Sequence, residues 1–117
     1  MAGFLDSAIT AHNLWKVRLR TAIYGGAIPD EKKVGADNLC DLGKWLYSDG
    51  VSHEHLPEYR DLRARHTEFH HVAAQVVKLV KAGNKTAAAD ELEHGEFSKA
   101  SSAVVLAIMK LKKLNVN

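Results

Sequence analysis

A chain of 117 residues, 46% hydrophobic and 26% charged, has the size and balance of one globular domain with a modest core. A formal net charge of +2 is too small to point to nucleic acid, and a lone cysteine, Cys40, excludes an internal disulfide and fits a reducing, cytoplasmic setting. The longest apolar run, Ala103 to Met109, has seven residues, far short of the ~20 that a spanning helix needs, so no membrane contact is expected.

The opening MAGFLDSAIT has neither the basic start nor the long apolar stretch of a signal peptide. From about Phe4 to Tyr24, the residues Leu5, Ala8, Ile9, His12, Trp15, Leu19, Ala22 and Ile23 recur with helical period. This predicts a first helix, which Gly25 and Gly26 then stop. A second helix is expected from about Asp30 to Tyr47. Leu39, Leu42 and Leu46 form its inner stripe, with Cys40, Gly43 and Tyr47 about 100° round from it.

The third and longest helix is expected from about Pro57, which suits a first-turn position, to Ala82. Its inner face reads Tyr59, Leu62, His66, Phe69, His70, Ala73, Val76, Val77 and Val80. The fourth, from about Lys85 to Leu114, places Leu92, Phe97, Ser101, Val104, Val105, Ile108 and Leu111 inside, and Gly95 weakens it locally. The basic cluster KLKKL at Lys110 to Leu114 suits the negative end of that helix's dipole better than a phosphate patch. No segment alternates with the period of a half-buried strand. Four amphipathic helices with short connections predict an all-α fold, an antiparallel four-helix bundle in a single domain over residues 1–117.

The seven histidines are not equivalent. His53, His55, His71 and His94 read as surface residues from their polar neighbours or their place on the helix. His66 and His70 stand four apart on the apolar face of one helix, so both imidazoles can reach one ion. His12 lies on the inner stripe of the first helix and Cys40 beside that of the second. Three imidazoles and a thiolate from three helices make a donor set for a closed tetrahedral zinc site, and such bundles build metal sites from inward side chains. Asp37 and Glu68 are candidates to hold the outer ring nitrogens. Spacing alone leaves a second reading open: core histidines bonded to carbonyls and a cysteine buried as a small hydrophobe.

The neighbours of these positions carry a more specific signal. AITAHNLWKVRLRTAIYGG, DNLCDLGKWLYSDG and LPEYRDLRARHTEFHHVAAQVV occur in that order. They contain His12-x-x-Trp15-Lys16, then Cys40-x-Leu42-Gly43-Lys44-Trp45-Leu46, then His66-x-x-Phe69-His70. Together they closely resemble the chemoreceptor zinc-binding domain family, often called CZB, and FSKASSAVV in the fourth segment resembles the family's ending. The resemblance implies a non-enzymatic zinc (Zn2+) site made by His12, Cys40, His66 and His70, in a cytoplasmic helical bundle that forms a homodimer. It implies a regulatory module attached to a signalling output, a chemoreceptor or a diguanylate cyclase. The signal sensed is zinc or, through the cysteine, hypochlorous acid. Two other readings stand beside it, a haemerythrin-like metal bundle and a metal-free dimerisation module.

Overall fold

The computed structural model describes residues 3–114, and residues 1–2 and 115–117 of the expected domain lie outside the described residues. The described residues form helices and no strand. Helix α1 spans Phe4–Ile23, α2 Glu31–Gly35 and α3 Asp41–Leu46. A single 3-10 turn over Asp49–His53 leads to α4, Pro57–Lys81, followed by α5, Lys85–His94, and α6, Glu96–Lys112.

Cross-links between the helix ends give the directions. Asp6 at the start of α1 pairs with Lys112 at the end of α6 at 2.5 Å, and Arg20 near the end of α1 pairs with Glu93 at the end of α5 at 2.6 Å. These contacts set α1 antiparallel to α6. Glu31 of α2 reaches Lys78 and Lys81 at the end of α4, whereas the Tyr59 hydroxyl at the start of α4 donates to the Leu46 carbonyl at the end of α3. The α2–α3 segment therefore runs antiparallel to α4. With α5 and α6 taken as one rod, this is the up-down-up-down arrangement of a four-helix bundle.

Two of the expected helices are broken. The second does not run unbroken from Asp30 to Tyr47. Ala36 is extended (φ −82°, ψ 123°) and ends α2. The chain then turns through Asp37–Cys40 before α3 begins. Local chemistry favours the break, because Asp30 caps α2 by accepting from the Lys33 amide at 3.1 Å and Cys40 caps α3 through its sulfur. Between them lie Gly35, Asp37 and Asn38, all poor helix formers. The turn is tight: a Cβ on Gly43 would stand 1.8 Å from the Asp37 carbonyl oxygen, so only glycine fits there. Leu39, expected inside, sits in this turn and is half-exposed. The fourth helix breaks at Gly95, whose backbone is extended (φ −102°, ψ −149°). The Glu91 carboxylate accepts from the freed amide of Glu96 at 3.2 Å and caps the start of α6.

Most of the remaining periodic faces bury as read, while Ile9, Trp15, Val80, Ser101 and Val105, also expected inside, are only partly buried. Leu5, Leu19, Tyr59, Leu62, Phe69, Val76, Val77, Leu92, Phe97, Val104, Ile108 and Leu111 are all fully buried. Phe69 of α4 meets Phe97 of α6 with ring centroids 5.4 Å apart. Burying side chains of this size is worth about 1.5–3 kcal/mol each, which makes the α4–α6 seam the stable frame of the fold. No helix among the described residues is long and apolar enough to cross a membrane.

Candidate metal centre

Among the described residues, three histidines are buried in this core: His12, His66 and His70. They come from the middles of α1 and α4, where the backbone is fully hydrogen-bonded within the helix and the side chains are aimed by packing. His66 and His70 stack on one face of α4, with ring centroids 4.6 Å apart. His12 meets them from α1, at 5.1 Å from the His66 ring and 5.8 Å from the His70 ring. Cys40 arrives from the other side on the turn before α3. It is the half-buried member of the group, and it is placed by a turn rather than within a helix.

One ligand atom from each of these four residues lies within 4.8 Å of the others. The Cys40 sulfur stands 3.2 Å from His66 Nε2 and 3.5 Å from His70 Nε2, and the two Nε2 atoms are 3.1 Å apart. A tetrahedron with ordinary zinc–nitrogen and zinc–sulfur bonds has edges of about 3.3 Å between nitrogens and about 3.5 Å between nitrogen and sulfur. The three spacings among Cys40, His66 and His70 are close to these edges, and His12 completes the group within the wider 4.8 Å limit.

Proton counting supports a cation at this point. His12 Nδ1 donates to the Ala8 carbonyl at 2.8 Å, and His70 Nδ1 donates to the Val34 carbonyl at 2.9 Å. In the neutral ring the other nitrogen, Nε2, is then a bare lone pair. His12 Nε2 is buried with no hydrogen-bond partner. The thiol and the His66 ring together bring two protons at most to a centre where three ring nitrogens and a sulfur face inward. A metal ion satisfies all four lone pairs at once. His66 is held differently, since its Nδ1 is also buried without a protein partner and its ring is oriented by packing.

The electrostatics suit the same role. Burial holds His12 down to about 4, overcoming the Ala8 carbonyl, and holds His66 down to about 3, with His70 and His12 adding to the effect. Burial likewise lowers His70, against the opposing pull of the Val34 carbonyl and Asp37. All three rings are therefore neutral at pH 7, the form that binds metals. Burial raises the Cys40 thiol, while backbone amides led by that of Gly43 oppose it. A bound zinc ion would deprotonate this thiol outright.

The four residues expected from the sequence are thus brought together, and His53, His55, His71 and His94 are not among them. The expected outer partners are corrected. The ring nitrogens of His12 and His70 are held by backbone carbonyls of Ala8 and Val34. Asp37 instead accepts from the Tyr47 hydroxyl at 2.7 Å and the Thr67 hydroxyl at 2.5 Å, and Glu68 points to solvent. Val34 was the residue hardest to foresee, because its role lies in a carbonyl and its side chain reads as plain core. A cleft of about 560 Å³, walled by Leu14, Trp15, Arg18 and Leu39, opens onto Cys40 and His70 and gives the sulfur an approach from solvent.

The model of one family, described as the chemoreceptor zinc-binding domain, matches residues 12–77, more than half of the chain and a span that includes all four residues. No curated protein and no solved structure matches the chain.

Proposed function

The chain belongs to the chemoreceptor zinc-binding domain family, a family of zinc-binding signalling domains, and on that premise we propose that His12, Cys40, His66 and His70 are its four zinc ligands. The observation that carries the assignment is the convergence of four ligand atoms within 4.8 Å, with the Nε2 lone pairs of His12 and His70 left free by carbonyls that occupy their Nδ1 protons. Four protein ligands close the zinc sphere and leave no position for a reactive water, so the domain senses rather than catalyses. The cluster contains no carboxylate, which disfavours a haemerythrin-like di-iron centre.

The test is metal content and ligand geometry. Protein purified under reducing conditions is expected to hold one zinc per chain, with X-ray absorption giving about 2.3 Å to a single sulfur and about 2.0–2.1 Å to three nitrogens. A fit without sulfur removes Cys40 from the site, and iron as the native metal overturns the zinc assignment.

The domain extends over residues 1–117 and works in the cytoplasm, where the cysteine stays reduced. Its stimulus is zinc, an oxidant such as hypochlorous acid acting on Cys40, or both, and its output is a chemoreceptor or diguanylate cyclase partner domain. It acts as a homodimer. Half-exposed Leu14 and Val17 on α1 and Leu106 and Met109 on α6 support this, since apolar side chains of this size favour cover. Sedimentation velocity at micromolar concentration is expected to give twice the chain mass, and a monomer at all concentrations would rule the dimer out.

A further inference from the structure

We propose that Asp37 is a positioning residue for the metal centre: its carboxylate clasps the Cys40-bearing turn to α4 and so sets the sulfur against His66 and His70 before any metal arrives. The inference rests on the assignment of those three residues as ligands.

The need for such a device follows from the fold. His12, His66 and His70 stand within helices of twenty and twenty-five residues. Cys40 stands on a short turn before a six-residue helix that is too short to be stable by itself. Something beyond the local backbone must hold its sulfur to within a few tenths of an ångström. The Gly43 amide, 3.3 Å from the sulfur, orients Cys40 relative to α3 but does not tie α3 to α4.

Asp37 supplies that tie at three points. One carboxylate oxygen accepts from the hydroxyl of Thr67, the residue after His66 on α4. That hydroxyl also lies 3.0 Å from the Arg63 carbonyl, but its one proton goes to the closer, charged acceptor. The same oxygen accepts from the hydroxyl of Tyr47, just beyond α3, whose ring is covered by the Arg63 guanidinium at 4.4 Å. The Asp37 carbonyl meanwhile rests against the Cα of Gly43. Turn, helix end and α4 thus meet at one carboxylate three residues before the cysteine. Among the described residues of the turn, apart from Cys40 itself, Asp37 alone makes a side-chain hydrogen bond to α4. Burial raises the Asp37 carboxyl, but the bonds from Thr67 and Tyr47 outweigh it and hold the group below its usual value, so it is a carboxylate at neutral pH.

The role is that of an acceptor, so shape matters more than charge. Asp37→Ala is expected to weaken zinc binding by about 10- to 100-fold in competition with a chelating dye, the range typical of lost outer-sphere support. Helix content by circular dichroism stays the same, and the sulfur-to-metal charge-transfer band of the cobalt(II) form persists at saturation, because no ligand has been removed. Asp37→Asn, which keeps an oxygen able to accept both bonds, is expected to stay within about threefold of wild type. Tyr47→Phe and Thr67→Val each give part of the loss and add nothing further in the Asp37→Ala background.

Asp37→Ala binding zinc as tightly as wild type would overturn the inference, and so would Asp37→Asn as weak as Asp37→Ala. Should Asp37→Ala fail to fold, the Tyr47→Phe, Thr67→Val double variant decides, and affinity equal to wild type sinks the clasp. Wild-type protein that binds no zinc, or whose cobalt form lacks the sulfur band, overturns the ligand assignment itself and is told apart from failure of the clasp alone.

Discussion

Replacement of His66 by alanine is expected to weaken zinc binding by about 10²- to 10³-fold and to remove most of the thermal stabilisation that zinc confers. The size follows from the binding energy of structural zinc, about 10–16 kcal/mol at neutral pH, which spread over four ligands leaves roughly 2.5–4 kcal/mol for each. Wild-type protein with free zinc at 1,000 times its dissociation constant gains about 4 kcal/mol over the metal-free form. In a domain of this size that amounts to more than about 10 °C in the melting temperature. At that same free zinc, His66→Ala and its counterparts at His12 and His70 are expected to keep at most about a third of the wild-type shift between the zinc-loaded and chelator-treated forms. His53→Ala, His55→Ala, His71→Ala and His94→Ala keep the full shift. The comparison separates the metal centre from a core histidine held by hydrogen bonds, whose loss would lower both melting temperatures alike. His70 and His71 make the sharpest pair, because they are neighbours in sequence and only His70 faces inward. A zinc-dependent shift that survived His70→Ala but vanished in His71→Ala would mean that α4 is rotated by one residue.

Periodicity was enough to find those histidines, because α1 and α4 are long and each turn repeats the inner face. On α4 the i, i+4 spacing is fixed by the helix itself, so two candidate donors and their common direction were legible together. His12 followed from the same stripe as Leu5, Ala8 and Leu19. Cys40 was legible as a donor but not in its setting. Its place beside a supposed stripe from Leu39 to Leu46 treated residues 30–47 as one helix, whereas the chain breaks at Ala36 and Leu39 turns outward. A signal for the break was present, since Gly35, Asp37 and Asn38 cluster just where the helical pattern carries least apolar weight. The hydrogen bonds that make the break useful were not legible. Asp37 to Thr67 and His70 to the Val34 carbonyl join residues thirty or more apart in the chain. Such pairings depend on how α2 and α3 dock on α4, which no local period encodes. Gly95 is legible as a weak point in the last helix. The outcome was a full break, because the Glu91 carboxylate satisfies the amide that the break exposes.

The Cys40 turn is where loss of a ligand is expected to have its largest structural effect. The three histidines of the proposed site are anchored in α1 and α4, on the buried faces of those helices. The segment from Lys32 to Tyr47 has little core of its own: Val34, Leu42 and Leu46 are its large buried side chains. The cleft beside α1 is lined in part by Cys40. Among the four donors the thiolate is the one oxidised under mild conditions. With hypochlorous acid the sulfur takes up oxygen as sulfenic acid and chloride leaves, and the oxidised sulfur is a poorer ligand. The segment then keeps its hydrogen bonds to α4 through Asp37, the Val34 carbonyl and the Leu46 carbonyl but loses the tie through the metal, and local opening becomes easier. Stoichiometric oxidant is expected to raise amide exchange over residues 32–47 by at least about tenfold, the equivalent of about 1.4 kcal/mol of local stability, while α4 from His66 to Val77 stays protected. Removing zinc with a chelator should give the same pattern without oxidation. Cys40→Ser, which keeps a side chain able to cap α3 but is a weak zinc ligand, should exchange rapidly from the outset and respond to neither treatment. Unchanged protection over residues 32–47 after zinc release has been verified would leave the metal as a static brace.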